Sequence, residues 1–226
     1  MSKNILVIAA HPDDEILGCG GTVAKLIKEG FKAYTLILGE GITSRDNIRQ
    51  RNKREKEILE LKEQIRKANK IIGVKDAFFY DFPDNRFDTV ALLDIIKVIE
   101  KVKDEVKPYI IFTHYKDDLN IDHRITFKSV LTATRPVGNE SVREIYSFEI
   151  ISSTEWNYPL SFSPDVFFDI TDTLNLKLKA MSEYSSELKD FPYPRSLDGI
   201  KLNASYWGMK TGIKYVEAFK TVRCIK

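Results

Sequence analysis

Residues 5–10 form an almost unbroken apolar run, the pattern of a short strand buried on both faces. Helical spacing follows over residues 16–28, with Gly30 as a stop signal. Residues 31–38 are again rich in β-formers. A long charged stretch over residues 46–72 has helical periodicity, with Thr43 and Ser44 as candidate caps and Gly73 at its end. A third strand is predicted over 77–80, a third helix over 90–106, a fourth strand over 109–113 and a helix over 123–133. Strand and helix alternating in this way imply right-handed βαβ crossovers and a parallel sheet covered on both faces. The pattern changes beyond Pro136: strands are expected over 144–150, 166–170 and 215–222, a helix over 173–188, and a loop over 191–196. The fold class is therefore α/β, a Rossmann-like three-layer fold with a mostly parallel sheet and a C-terminal α/β extension. The chain is expected to be one domain, with a core over residues 1–136 and the extension over 137–226.

Composition narrows the function without choosing it. The 226 residues are 43% hydrophobic and 30% charged, which suits a packed core and argues against disorder. A formal charge of +2 makes duplex nucleic acid an unsuitable partner. The basic surplus over residues 45–70 is diluted by Glu55, Glu57, Glu60 and Glu63, so it reads as a solvated helix face. Cys19 and Cys224 fit no disulfide or metal spacing. The apolar run at residues 5–10 is too short for a signal peptide, and no run reaches transmembrane length, so a cytoplasmic protein with no membrane insertion is expected.

Open parallel sheets bind ligands beyond the carboxyl ends of their strands, where the strand order reverses. All three histidines fall at two such ends. His11-Pro12-Asp13-Asp14-Glu15 follows the first strand; His114 and then Asp117-Asp118-Leu119-Asn120-Ile121-Asp122-His123 follow the fourth. Two histidines and a carboxylate with a position left for water suit zinc, with iron and manganese left open. Each piece also has a structural reading: an Asp-Asp pair opening a helix complements the helix dipole, and a lone histidine can simply order a loop.

His11-Pro12-Asp13-Asp14-Glu15, preceded by Ala10 and followed by Gly18-Cys19-Gly20-Gly21-Thr22, resembles the first motif of the LmbE/PIG-L family of zinc-dependent N-deacetylases. Asp122-His123-Arg124 resembles the core of its second motif, and the likeness extends through Phe82-Pro83-Asp84-Asn85, Thr134-Arg135-Pro136 and Phe168-Asp169-Ile170-Thr171. The resemblance implies Zn2+ held by His11, Asp14 and His123, with Asp13 as general base. Many members carry a second histidine three positions before the metal histidine, where this chain has Asn120. Asn120 can donate a hydrogen bond to an oxyanion but cannot titrate, and His114 is a candidate substitute. The alternative for His114 is to order the loop. Glu15 either braces a metal ligand from behind, as Asp122 is expected to do, or is a first-turn acid. Asp84 and Arg135 are candidates for binding substrate, with surface ion pairing as the alternative.

The glycine run lacks the spacing of a phosphate loop and reads as close helix–sheet packing, with Cys19 in the core. Trp156 and Trp207 are candidates for sugar stacking or, preferably, core packing. The expected partner is a small-molecule N-acyl amino sugar or nucleotide sugar, handled by a monomer or a homo-oligomer. A metallo-amidase acting on a non-sugar amide and a catalytically silent nucleotide-sugar-binding module are the rivals.

Overall fold

The computed structural model describes residues 3–45 and 48–226. Strand β1 (Asn4–Ala9) alternates Ile5, Val7 and Ala9 into one core and Leu6 and Ile8 into another, so it is buried on both faces as its apolar run requires. Helix α1 (Asp14–Lys28) leads to β2 (Lys32–Gly39), α2 (Glu55–Ile72) to β3 (Asp76–Phe82), and α3 (Leu92–Val106) to β4 (Ile110–His114). After α4 (Ile121–Ala133) come β5 (Glu144–Phe148), β6 (Val166–Asp169), α5 (Leu174–Met181), α6 (Leu197–Thr211) and β7 (Val216–Cys224).

These strands form a single seven-stranded sheet in the order β3-β2-β1-β4-β5-β7-β6. The first five are mutually parallel; β7 runs antiparallel to both β5 and β6. The expected mostly parallel three-layer architecture is thus present. Helices α1, α2 and α5 pack together on one face, and α3 and α4 cover the other. The direction of strand addition reverses between β1 and β4, so the loops after these two strands open on a common crevice. Among the described residues no helix is long and apolar enough to cross a membrane.

Three local expectations need correction. The helix expected over 46–72 begins only at Glu55; residues 46–47 lie outside the described residues, and 3-10 turns occupy Thr43–Arg45 and Arg51–Arg54. Tertiary pairing outweighs helical propensity there. Buried Glu40, 3% exposed, draws Arg49 into a two-pronged bond at 2.7 and 3.0 Å, and Arg51 reaches Asp81 at 2.7 Å. Thr43 and Ser44 therefore do not cap α2 and bond to Glu40 and Asp84 instead. The helix expected over 173–188 ends at Met181, where the chain turns to bury Tyr184 completely. Helix α6 was unforeseen, although Ser196 caps it by accepting the Gly199 N–H at 2.9 Å and Gly212 closes it at φ 72°.

The glycine run does let α1 approach the sheet. A Cβ on Gly18 would sit 2.4 Å from the Phe148 ring, whose side chain is fully buried. Gly18→Val should destabilise the protein by about 2–3 kcal/mol through overpacking. A thermal melt checks this, with Tm expected to fall by roughly 5–10 °C in a chain of this size.

Candidate active site

The crevice is built by tying two strand ends together. Beyond β1, the Ala10 N–H donates to His114 Nε2 at the end of β4, 2.8 Å away. The chain then turns through His11 and Pro12 into α1, and the His11 N–H donates to Asp14 Oδ2 at 2.9 Å. On the other side, Asn120 caps α4 by accepting the Asp122 N–H at 2.8 Å, which sets His123 on the first turn of that helix.

His11 Nδ1, Asp14 Oδ2 and His123 Nε2 meet in a nearly equilateral triangle with edges of 3.4, 3.3 and 3.3 Å. Bonds of about 2.0–2.1 Å around a tetrahedral ion place neighbouring donors about 3.3–3.4 Å apart. The three donors therefore fit a tetrahedral divalent cation without rearrangement. The two imidazole nitrogens face each other across 3.3 Å, an arrangement that a shared cation satisfies when both rings are neutral. Asp14 and His123 are fully buried, while the His11 side chain is 12% exposed and marks the open side.

The far nitrogens of both rings meet carboxylates. Asp122 Oδ2 lies 2.9 Å from His11 Nε2, and its other oxygen accepts the Phe87 N–H at 2.9 Å. Asp118 Oδ1 lies 3.0 Å from His123 Nδ1. Asp118 is itself held by the hydroxyls of Ser153 and Thr154 and by the Asn120 N–H. Carboxylates behind ligating histidines fix ring orientation and raise basicity. Burial alone would raise the Asp118 pKa, but His123 and these hydroxyls bring it down to about 2. Burial likewise pushes Asp14 up, and the charge of His123 with the hydrogen bond from His11 overcomes it, leaving Asp14 well below the usual carboxylate range. A second cluster, His11 with Asp84 and Asp122, also has metal-binding spacing. It offers one imidazole between two carboxylates, and Asp84 is engaged by the Ser44 N–H and hydroxyl at 3.2 and 2.6 Å.

Asp13 sits beside the triangle, fully buried, with the left-handed φ of 93° that a non-glycine residue rarely adopts. Glu15 holds that conformation: its Oε2 accepts the Asp13 N–H at 3.1 Å, while Oε1 accepts from Asn69 Nδ2 at 2.9 Å and from the Tyr184 hydroxyl. Glu15 thus braces the backbone of Asp13, a role neither sequence reading gave it. Burial pushes Glu15 up to about 7 despite the Tyr184 bond. The Asp13 carboxylate receives Arg195 Nη1 on Oδ2 at 2.8 Å. Burial raises Asp13 well above its ordinary value, with Arg195 opposing.

The remaining expected residues divide. Asp84 and Asp122 join the site through His11. Asn120 spends its Oδ1 on the α4 cap and its Nδ2 on Asn85 at 2.7 Å. His114 lies fully buried behind His123, stacked on it at 4.0 Å between ring centroids, with Nε2 occupied by the Ala10 N–H. Loop ordering is the role this packing supports. Arg135 is not brought to the site: it follows the far end of the 13-residue α4, about 20 Å along the helix from its start, and is exposed. Trp207 is core, but Trp156 is 42% exposed and packs edge-on against Tyr193. Sequence reasoning missed Arg195 and Asp118 as site residues. Asp118 had a signal, since it stands in the polar stretch that leads to His123; Arg195 stood in the Pro194-Arg195-Ser196 segment, which resembles family members, but nothing there placed it beside Asp13, 182 positions away.

Comparison with known proteins adds a family. The model of the PIG-L family, described as GlcNAc-PI de-N-acetylase, matches residues 6–134. The chain is similar to the uncharacterized deacetylase YaiS of Escherichia coli, 30% identical over 191 residues that cover 81% of this chain and 91% of YaiS. It is also similar to a diacetylchitobiose deacetylase of Thermococcus kodakarensis, 26% identical over 226 residues, covering 97% and 83% of the two chains. Among solved structures, GalB, the 4-carboxy-2-hydroxymuconate hydratase of Pseudomonas putida, superposes with a TM-score of 0.76 at 20% identity, covering 100% of this chain and 98% of GalB. That last likeness is one of fold alone.

Asp118→Asn should weaken divalent-metal affinity by roughly 10–100-fold, because His123 loses the charge behind it. Asn120→Ala should leave that affinity nearly unchanged and instead cost about 1 kcal/mol of stability through the lost cap. Chelator competition and thermal melting separate the two outcomes.

Proposed function

Because the chain belongs to the PIG-L, or GlcNAc-PI de-N-acetylase, family, we propose that it is a zinc-dependent hydrolase that removes the N-acetyl group from an amino sugar or sugar conjugate, nucleotide-linked sugars included. The observation that carries this reading is the triangle of two imidazole nitrogens and one carboxylate oxygen at tetrahedral spacing, with Asp13, the residue before Asp14, keeping one buried carboxylate oxygen free of hydrogen bonds among the described residues. Zinc suits two imidazoles and a carboxylate with a fourth position open. The sugar follows the relative that acts on diacetylchitobiose; it also suits the exposed Trp156 and Tyr193 rings, which lie on the same loops as the site residues Ser153 and Arg195.

His11, Asp14 and His123 would hold the ion, which when bound polarises the amide carbonyl and acidifies water. Asp122 and Asp118 keep the two imidazoles turned toward it. Asp13 Oδ1 takes one proton from the attacking water as the new C–O bond forms. As the amide C–N bond breaks, the same oxygen returns that proton to the departing nitrogen, leaving a free amine and acetic acid, which loses its remaining proton to solvent and leaves as acetate. The whole sequence acts as one catalytic unit in this reading, since the stretch 137–226 continues the sheet and supplies Arg195. A cytoplasmic enzyme acting on small molecules is the corresponding cellular role.

Metal analysis followed by an amine-release assay over N-acetyl sugars, their nucleotide-linked forms and simple non-sugar amides tests the proposal. Release from sugars with stoichiometric zinc supports it; release from non-sugar amides alone would make the protein a general metallo-amidase. Bound zinc with no amide cleaved across the panel would sink the catalytic reading in favour of a silent binding module. Asp13→Asn should retain zinc and lower kcat by roughly 10²–10⁴, whereas His123→Ala should release the metal. Zinc stoichiometry and turnover measured on the same preparations check both.

A further inference from the structure

The two carboxylate oxygens of Asp13 have different surroundings. Oδ2 accepts from Arg195 Nη1 at 2.8 Å, while Oδ1 is buried without a hydrogen-bond partner among the described residues. The backbone of Asp13 is already fixed by its φ of 93° and by Glu15. The freedom that remains is rotation of the carboxylate, which would exchange its two oxygens. Arg195 blocks that exchange, and it is immobilised in turn: its Nε donates to Ser152 Oγ at 2.7 Å. Ser152 belongs to the turn after β5 whose next two residues hold Asp118 behind His123. One short turn thus fixes the orientation of both Asp13 and a candidate metal ligand.

We propose that Arg195 is a positioning residue for the hydrolysis: it clamps Oδ2 of Asp13 so that Oδ1 alone is presented to the reacting water. A guanidinium has five donors and no acceptor, so the proton taken up at Oδ1 cannot pass to Arg195 and stays where the leaving nitrogen can collect it. The charged hydrogen bond is short and directional, which suits orientation better than a bare charge would. This inference rests on the deacetylase reading and adds a residue to it that lies outside the two histidine-bearing loops.

The test compares wild type, Arg195→Lys and Arg195→Ala for kcat, KM, zinc content and the Tm of the metal-free protein. Misplacing a reacting group by about 1 Å can cost roughly a hundredfold, so Arg195→Ala should lose about that factor in kcat. KM should stay within about threefold of wild type and zinc should remain stoichiometric, because no ligand is touched. Arg195→Lys should recover part of the loss, and added guanidinium ion should rescue Arg195→Ala but not the Asp13→Asn, Arg195→Ala double variant. A kcat within about threefold of wild type overturns the proposal, as does a loss confined to KM. A fall in Tm accompanied by a kcat loss that neither lysine nor guanidinium repairs also overturns it, since Arg195 would then merely tie its loop to the body. A wild type inactive on every amide overturns the deacetylase reading and this inference together; an active wild type with an indifferent Arg195 overturns this inference alone.

Discussion

A single carboxylate oxygen organises this molecule's crevice. Asp14 Oδ2 accepts the His11 N–H and lies 3.4, 3.3 and 3.6 Å from ring nitrogens of His11, His123 and His114. It has no solvent exposure, and an ionised carboxylate so buried needs compensating charge or donors; Oδ2 has them, while Oδ1 is buried without a hydrogen-bond partner among the described residues. Those donors come from two distant parts of the sequence, which can meet only because the sheet reverses direction between β1 and β4. The constraint therefore runs both ways: the sheet order makes the cluster possible, and the cluster dictates that both strand ends stay locked.

Around that oxygen the residues fall into shells with separable tasks. Asp122 and Asp118 hold imidazoles, and hydroxyls of the turn after β5 hold Asp118. Glu15 and Tyr184 hold the strained backbone of Asp13. The fold by itself does not choose a reaction, as the likeness to a hydratase shows. Chemistry here resides in donor types and their spacing, a more specific quantity than the arrangement of helices and strands.

Periodicity revealed β1, β2 and β4 and the helices between them because they bury apolar stripes, and β3 was legible from its aromatic β-formers although none of its residues is fully buried. It failed where long-range ion pairs decide the backbone. Arg49 and Arg51 would suit an exposed α-helix, but Glu40 and Asp81 hold them ahead of α2, with Arg51 in a 3-10 turn. Helix α6 escaped because its apolar residues do not form one clean stripe: Leu202, Tyr206 and Met209 are exposed while Ile200, Ala204 and Trp207 are buried. In the crevice, the convergence of His11, Asp14 and His123 was legible because His11 and Asp14 follow the end of β1 and His123 opens the helix that follows β4. Asn120 and His114 were given chemical tasks there; the structure commits Asn120 Oδ1 to the α4 cap and His114 Nε2 to the neighbouring strand end, and leaves His114 Nδ1 buried without a hydrogen-bond partner among the described residues. The place of Arg195 beside Asp13 was not legible for the opposite reason, since only tertiary folding brings the two together.

The position of β7 has a consequence for how the chain reaches this state. The last strand of the sequence lies between β5 and β6, and β6 pairs with nothing else in the sheet. On a ribosome, β5 therefore emerges with one edge unpaired and must wait for some seventy further residues before its neighbour exists. During that interval its Ile145 and Phe148, later fully buried, border an open row of amides and carbonyls, the kind of template on which nascent chains aggregate. Completion of the sheet thus waits on β7, long after β4 and β5 are able to pair, and that edge of β5 stays open in the meantime.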